Sequence, residues 1–359
     1  MTAPSAAAAV SSTTDTVAVL PQHAFPQSSL ERFMREKVDG FVPPLTVEQF
    51  QGGMSNPTFM LTDGAGRRYV MRKKPPGKLL PSAHAVDREF RVISALAGTD
   101  VPVARAYVLC EDESIIGQAF YIMEHVEGRV FRSYMLPDLA PPERAAIYDA
   151  MNDVLARLHK VDYAAVGLTG YGRVGGYLER QVSRWSKQYE ASKTDDVPEM
   201  DKLTHWLPAH MPRHEDTTVV HGDFRLENII FHPTEPRVLA VVDWELGTLG
   251  DPLSDLAYNC LVYHVADAHR GDMTTVDFAT YGIPAEADYV AAYCRRTGRT
   301  GVENWNFYLV LSLFRLAGIA QGVYKRGLDG NASSPAALER GAKARRLAEV
   351  AWQLVERAS

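Results

Sequence analysis

The spacing of apolar positions changes character twice along the chain. Ordered structure is predicted from Ser28, where the S-x-x-E pattern of Ser28 and Glu31 reads as a capping box ahead of Leu30, Phe33, Met34 and Val38 at helical spacing. From Leu45 the period shortens to that of strands: LTVEQFQ, then TFMLTD and RRYVMRKK joined by a Gly-Ala-Gly turn. A helix is predicted over His84–Leu96, with Val86, Phe90, Ile93 and Leu96 on one face and Glu89 beside it. VPVARAYVLC and QAFYIMEHV read as two further strands.

Beyond Gly128 the helical period takes over. In PPERAAIYDAMNDVLARLHKVD, Ile147, Met151, Val154, Leu155 and Leu158 form one apolar stripe, and Pro141 and Pro142 mark its start. Helices are also predicted over 175–193, near Met200–His210, over Asp288–Thr297 and Trp305–Lys325, and from Pro335 to the end. One β-rich interruption, TTVVHGDFRLENIIFHPTEPRVLAVVDWE, runs from Thr217 to Glu245. The pattern is α+β: a small antiparallel sheet lobe carrying one helix, then a larger, mostly helical lobe. The expected divisions are a flexible tail over residues 1–27, a first lobe over 28–127 and a second over 128–359.

Composition narrows this picture. With 359 residues, 46% hydrophobic and 23% charged, the chain has an ordinary globular balance and enough length for two domains. A net charge of −6 argues against a general nucleic-acid binder. Cys110, Cys260 and Cys294 are scattered without a CxxC pair, which suggests neither a disulfide framework nor a thiolate zinc site and fits reduced thiols in the cytoplasm. Arg315 interrupts YLVLSLFRLAGIA, so no membrane partner is expected, and the N-terminal stretch lacks the basic region of a signal peptide. Oligomeric state is left open.

The chemistry concentrates in Thr217 to Glu245. Asp223 is followed by Asn228 five residues on and, after an apolar run, by Asp243, the spacing of a kinase catalytic loop and its metal-binding Asp. If FHPTEPRV turns a hairpin with Phe231 opposite Val238, Asn228 faces Val241 and Asp243 lies two further on the same face. An amide oxygen and a carboxylate then converge as hard ligands suited to Mg²⁺. Asp223 is placed to accept the proton of an attacking hydroxyl. Arg225 stands where many protein kinases carry a phosphate-contacting Lys. His221 is expected to be structural, tying the loop to the Asp243 segment, and His205, His210 and His214 do not share a helix face.

HGDFRLEN and VVDWE, set between a β-rich lobe with a hinge and a helical lobe, resemble the aminoglycoside phosphotransferase and choline-kinase-like family over roughly residues 40–350. The strings RKKPPGKLLPSAHAVDREF and GTLGDPLSDLAYN are similar to the kinase-like domains fused to some acyl-CoA dehydrogenases. The resemblance implies a protein-kinase-like two-lobe fold, ATP and Mg²⁺ as cofactors, and phosphate transfer to a hydroxyl of a small molecule. A hydroxyacyl-CoA or hydroxy acid is the preferred acceptor and an aminoglycoside or other small alcohol the second. A nucleotide-binding pseudokinase is the alternative of another class.

The same resemblance assigns a nucleotide site. Arg72, where protein kinases carry Lys, pairs with Glu89 seventeen residues on, with Lys74 as the other basic candidate. Gly52, Gly53, Met54, Ser55 and Asn56 occupy the place of a phosphate-covering loop, although the same residues suit an ordinary turn. Met123, Glu124 and Val126 look like a kinase hinge, the last two through their backbone, with a strand and turn as the equal alternative. Lys73 and Lys78 extend the basic patch and read as solvated charges, with an anionic substrate or cofactor phosphate as the alternative partner. Asp251 and Pro252 read as the start of a helix. For the acceptor, Trp185, Tyr189, Trp305, Tyr308 and the acidic run Thr194–Asp201 are candidates, with core aromatics and a plain loop as alternatives.

Overall fold

The computed structural model describes residues 10–12, 15–50, 56–76, 85–267, 270–331 and 335–358. Its strands begin with β1 (Val10–Ser12), β2 (Thr16–Val17), β3 (Thr46–Phe50), β4 (Thr58–Thr62), β5 (Arg68–Lys73) and β6 (Ala106–Cys110). They continue with β7 (Phe120–Glu124), β8 (Arg129–Phe131), β9 (Thr218–Val220), β10 (Ile229–Phe231), β11 (Val238–Val241) and β12 (Thr248–Gly250). The helices are α1 (Gln27–Lys37), α2 (Val86–Leu96), α3 (Pro141–His159), α4 (Tyr177–Ser192) and α5 (Pro198–Ala209). After them come α6 (Pro252–Cys260), α7 (Phe278–Tyr281), α8 (Glu286–Thr297), α9 (Trp305–Leu328) and α10 (Arg340–Ala358).

Two compact units result. The first takes the residues up to Leu139, Ala146–Tyr171 and Arg225–Gly247; the second takes Ala140–Ala145, Gly172–Phe224 and the chain from Thr248. This differs from a single boundary at residue 127, because β10 pairs with β8 and so carries the hairpin β10–β11 into the first unit. The expected flexible tail is also corrected over its described part. Val10–Ser12 pairs antiparallel with β8, and Thr16–Val17 pairs with β3, filling edges that otherwise expose unpaired backbone groups.

The first unit is built on a six-stranded antiparallel sheet in the order β2-β3-β4-β5-β7-β6. Strand parity divides its residues. Phe59, Leu61, Tyr69, Met71, Phe120 and Ile122 pack with Leu30 and Met34 of α1, whereas Arg72, one residue out of step, belongs to the opposite face. Helix α1 starts at Gln27 after Pro26, so Ser28 lies inside it and there is no side-chain cap. The expected capping box is absent: Glu31 instead accepts the N–H of Leu45 at 2.9 Å.

The second unit is helical around the pair β9–β12. Helix α9 is long and apolar enough to cross a membrane, yet 72% of its most apolar window is buried inside the protein, mostly against α10, α4 and α6. Helix α6 begins as its sequence suggests, with Asp251 accepting the N–H of Leu253 at 2.8 Å and Pro252 in the first turn. Asp251 is 1% exposed, and burial pushes its carboxyl up to about 6 against the pull of two backbone donors.

That shift has a sign. Between the ordinary carboxyl range and about 6, the folded chain keeps a proton that the unfolded chain releases. The contribution of Asp251 to stability therefore falls as pH rises from about 4 to about 6 and is flat above. Asp251→Asn keeps the capping oxygen and removes this slope. Denaturant melts at pH 4 and pH 6.5 should show the variant gaining on the parent by on the order of 2–3 kcal/mol across that window.

Candidate functional site

Within the first unit, the register of β5 sets Arg72 opposite Thr58 on β4 and Tyr121 on β7. Arg72 is buried, and its Nη1 lies 2.9 Å from Glu89 Oε2 and 3.0 Å from Asp243 Oδ1. Glu245 approaches Nη2 at 3.9 Å. Glu89, in the first turn of α2, is fully buried and also accepts from Asn56 Nδ2 at 2.7 Å and from the Tyr121 hydroxyl at 3.0 Å. Burial alone would lower the pKa of the guanidinium; Glu89 and Asp243 more than reverse this, so Arg72 is held firmly charged. Three carboxylates against one guanidinium leave a local excess of negative charge.

The expected pair of Arg72 and Glu89 is therefore formed, and Arg72 rather than Lys74 makes it. The Asn56 side-chain amide donates to Glu89 at 2.7 Å. Ser55, with Gly52, Gly53, Met54 and Lys78, lies outside the described residues. Lys73 is not a solvated charge. Strand parity sends it to the apolar face, where it is 1% exposed, 5.4 Å from the Phe25 ring centroid and 3.3 Å from Gln118 Oε1. Burial lowers its pKa.

The hairpin β10–β11 pairs Phe231 with Val238 as expected, but a bulge between Ile230 and Phe231 brings Val241 opposite Ile229. Asn228 accordingly does not face Val241; its carbonyl accepts the N–H of Val242 at 2.9 Å. A one-residue slip in a continuous strand would send Asp243 to the wrong face. Asp243 is instead left-handed, with φ +67°, and this turn re-aims its carboxylate at Arg72. Trp244, fully buried, fixes the turn by donating Nε1 to the Val241 carbonyl at 2.9 Å. Arg225 is engaged locally, 2.6 Å from Glu227 Oε2.

The hinge-like segment is a strand followed by an irregular turn. Met123 is buried on β7 opposite Val70, while Val126 follows the end of the strand. The N–H of Glu124 donates to the Arg105 carbonyl at 2.8 Å, and the Glu124 carboxylate accepts the N–H of Arg105. Of the backbone groups expected to meet a base, the Glu124 N–H is thus committed elsewhere.

In the second unit, the loop after β9 carries Asp223. Gly222 sits at φ +81°, a conformation that glycine adopts without strain, so the loop turns sharply. Its exposed donors are met by Asp255 of α6, which accepts the N–H of His221 at 2.5 Å and of Gly222 at 2.8 Å. His221 is fully buried, and its Nδ1 accepts the N–H of Asp223 at 3.2 Å, a structural role realised on its own loop. Asn259 Nδ2 donates to the Phe224 carbonyl at 3.1 Å, and Arg315 Nη2 to that of Gly222 at 2.9 Å. The Tyr258 hydroxyl donates to Asp223 Oδ1 at 2.6 Å.

Asp255, Tyr258 and Asn259 have no assigned role in the sequence, and Arg315 stands out there only as the charge that interrupts an apolar run. The first three stand at i, i+3 and i+4 of a helix whose start was legible, so their shared face could have been found; Arg315 comes from α9, 93 residues from Gly222. Among the acceptor candidates, Trp185, Tyr189 and Tyr308 are buried core residues. Trp305 donates Nε1 to Glu286 at 3.0 Å. In the acidic run, Asp201 is already met by Lys193 at 3.0 Å.

Residues 46–305 match the phosphotransferase enzyme family. Over 92% of its length the chain is 48% identical to mouse acyl-CoA dehydrogenase family member 10, and over 96% it is 47% identical to rat family member 11. It spans only 31% and 45% of those two proteins. A crystal structure from Ralstonia eutropha, provisionally described as an aminoglycoside phosphotransferase, superposes with a TM-score of 0.86 at 53% identity, covering 93% of this chain and 99% of that one. Two more distant structures share the fold. Aminoglycoside phosphotransferase APH(4)-Ia, solved with ADP and hygromycin B, gives 0.60 at 18% identity over 91% of this chain and 98% of that one. Choline kinase from Cryptosporidium parvum gives 0.64 at 10% over 93% and 97%.

Because Glu89 gathers three donors in a buried site, removing it takes the nearest carboxylate from a charged guanidinium and the acceptor from the Asn56 amide and the Tyr121 hydroxyl. Glu89→Ala is expected to cost about 3–5 kcal/mol in urea unfolding. Tyr121→Phe, which deletes one of the three hydrogen bonds, should cost on the order of 1 kcal/mol. Equal losses would mean that packing rather than charge sets the site.

Proposed function

This chain belongs to the phosphotransferase enzyme family, and from that premise we propose that it moves the γ-phosphate of ATP to a hydroxyl of a small molecule. The observation that carries the reading is the buried Arg72–Glu89 pair. A guanidinium held charged at the end of a strand is suited to phosphate oxygens, and Arg can grip them bidentately. Asp223 is the base, standing five residues before Asn228 in the chain.

Asn228 and Asp243 would hold Mg²⁺. Both carry oxygen ligands of the kind that ion takes, and the negative excess around Arg72 suits a divalent cation. When bound, Mg²⁺ and ATP supply the transferable phosphoryl group and neutralise charge on its oxygens. The chain's own part is to hold Asp243 in its left-handed turn, to keep Arg72 charged and to present Asp223 from a pinned loop.

The preferred acceptor is a hydroxyacyl-CoA or hydroxy acid, a choice supported by relatives of 47–48% identity named for acyl-CoA dehydrogenases. An aminoglycoside is less well supported, because the Asp201 carboxylate that would meet a polycation is already paired with Lys193. A second reading, a nucleotide-binding module without turnover, is favoured by one observation: Arg72 grips the metal-ligand candidate Asp243 at 3.0 Å.

ADP release, measured with hydroxyacyl-CoAs, hydroxy acids, amino alcohols and aminoglycosides in parallel, tests these readings together. The acyl-CoA or hydroxy-acid set should give the largest stimulation, and binding of ATP without ADP release from any acceptor would favour the second reading. Asp223→Asn should lose at least a hundredfold in turnover while still binding nucleotide. Asp243→Ala should lose the Mg²⁺-dependent part of nucleotide affinity by calorimetry; unchanged affinity would remove Asp243 from the metal site.

A further inference from the structure

Helix α6 holds the Asp223 loop with three side chains on one face. Two of them act on main chain: Asp255 takes the N–H groups of His221 and Gly222, and Asn259 donates to the Phe224 carbonyl. The third acts on the side chain assigned as base, since the Tyr258 hydroxyl lies 2.6 Å from Asp223 Oδ1. That length is typical of an O–H donor to a carboxylate, a stronger bond than a neutral pair forms.

The phenol is itself braced. The Arg315 guanidinium lies 5.5 Å from the Tyr258 ring centroid and 5.8 Å from that of Trp185, while its Nη2 donates to the Gly222 carbonyl at 2.9 Å. One residue of α9 therefore supports both the ring and the loop. The terminal torsion of an aspartate is broad, and a fixed donor on one oxygen narrows it.

We propose that Tyr258, braced by Arg315, is a positioning residue for phosphotransfer. It sets the rotation of the Asp223 carboxylate and covers its Oδ1, so that the base meets the acceptor hydroxyl correctly oriented. The acceptor's proton passes to Asp223, and Tyr258 keeps its own. The inference rests on Asp223 as the base, and its test separates the two.

The first measurement needs no turnover. In ligand-free protein, coupling of Asp223 to glycine ethyl ester by a water-soluble carbodiimide, read by peptide mass spectrometry, should be several-fold faster in Tyr258→Phe than in the parent. Labelling of exposed Asp277 should be unchanged; an unchanged Asp223 would overturn the proposal. In ADP release from Mg·ATP, Tyr258→Phe should lower kcat about tenfold with KM for ATP unchanged. In the Asp223→Asn background the same substitution should add no further loss. A tenfold loss there too would show that Tyr258 acts on the fold, and a rate increase would show that it blocks the base; either overturns the proposal. If Asp223→Asn turns over at the parent rate, the base assignment fails, and the labelling alone decides whether Tyr258 holds that carboxylate.

Discussion

A guanidinium removed from water has to be met by carboxylates, and the burial of Arg72 imposes that demand on the first unit. Glu89 meets it from the first turn of α2, and Asn56 and Tyr121 are spent on keeping Glu89 in place. Asp243 meets it from a left-handed residue that only a bulged hairpin and a buried Trp244 allow. The strain at Asp243 is of order 1–3 kcal/mol, within reach of what two charge-assisted contacts return in a buried setting. A strand, a helix start and a hairpin turn thus meet at one side chain.

The second unit solves a different problem. A sharp loop around Gly222 exposes main-chain donors with no strand to pair them, and buried donors without partners are costly. Asp255 supplies both acceptors, and α6 is correctly phased to do so because Asp251 caps it four residues earlier. The loop that presents Asp223 is held by hydrogen bonds to its own main chain. Tyr258 and Arg315 extend the same bracing from the backbone to the carboxylate.

Much of this could be read beforehand. Periodicity located β3, β4, β5, α2 and most of the later helices, because a strand or helix that buries one face must repeat apolar residues at its own period. Asp251 and Pro252 announced α6, since capping is a local interaction. Arg72 and Glu89 were paired through a resemblance whose spacing is preserved. The failures share a cause. The tail strands, the buried Lys73 and the slipped register at Asn228 each depend on what lies across a sheet, which no local pattern contains.

The sequence by itself determined which polar groups the segment from Thr217 to Glu245 can offer, through the order and spacing of Asp223, Asn228 and Asp243. It also determined the period of nearly every element. Only the tertiary structure decided which basic residue pairs with Glu89, because the strand order alone does not say which of Arg72, Lys73 and Lys74 meets α2. It alone decided how Asp223 is held, through a phenol from α6 and a guanidinium from α9, since hydrogen bonds between residues 35 and 93 positions apart follow from packing and leave no mark on local spacing.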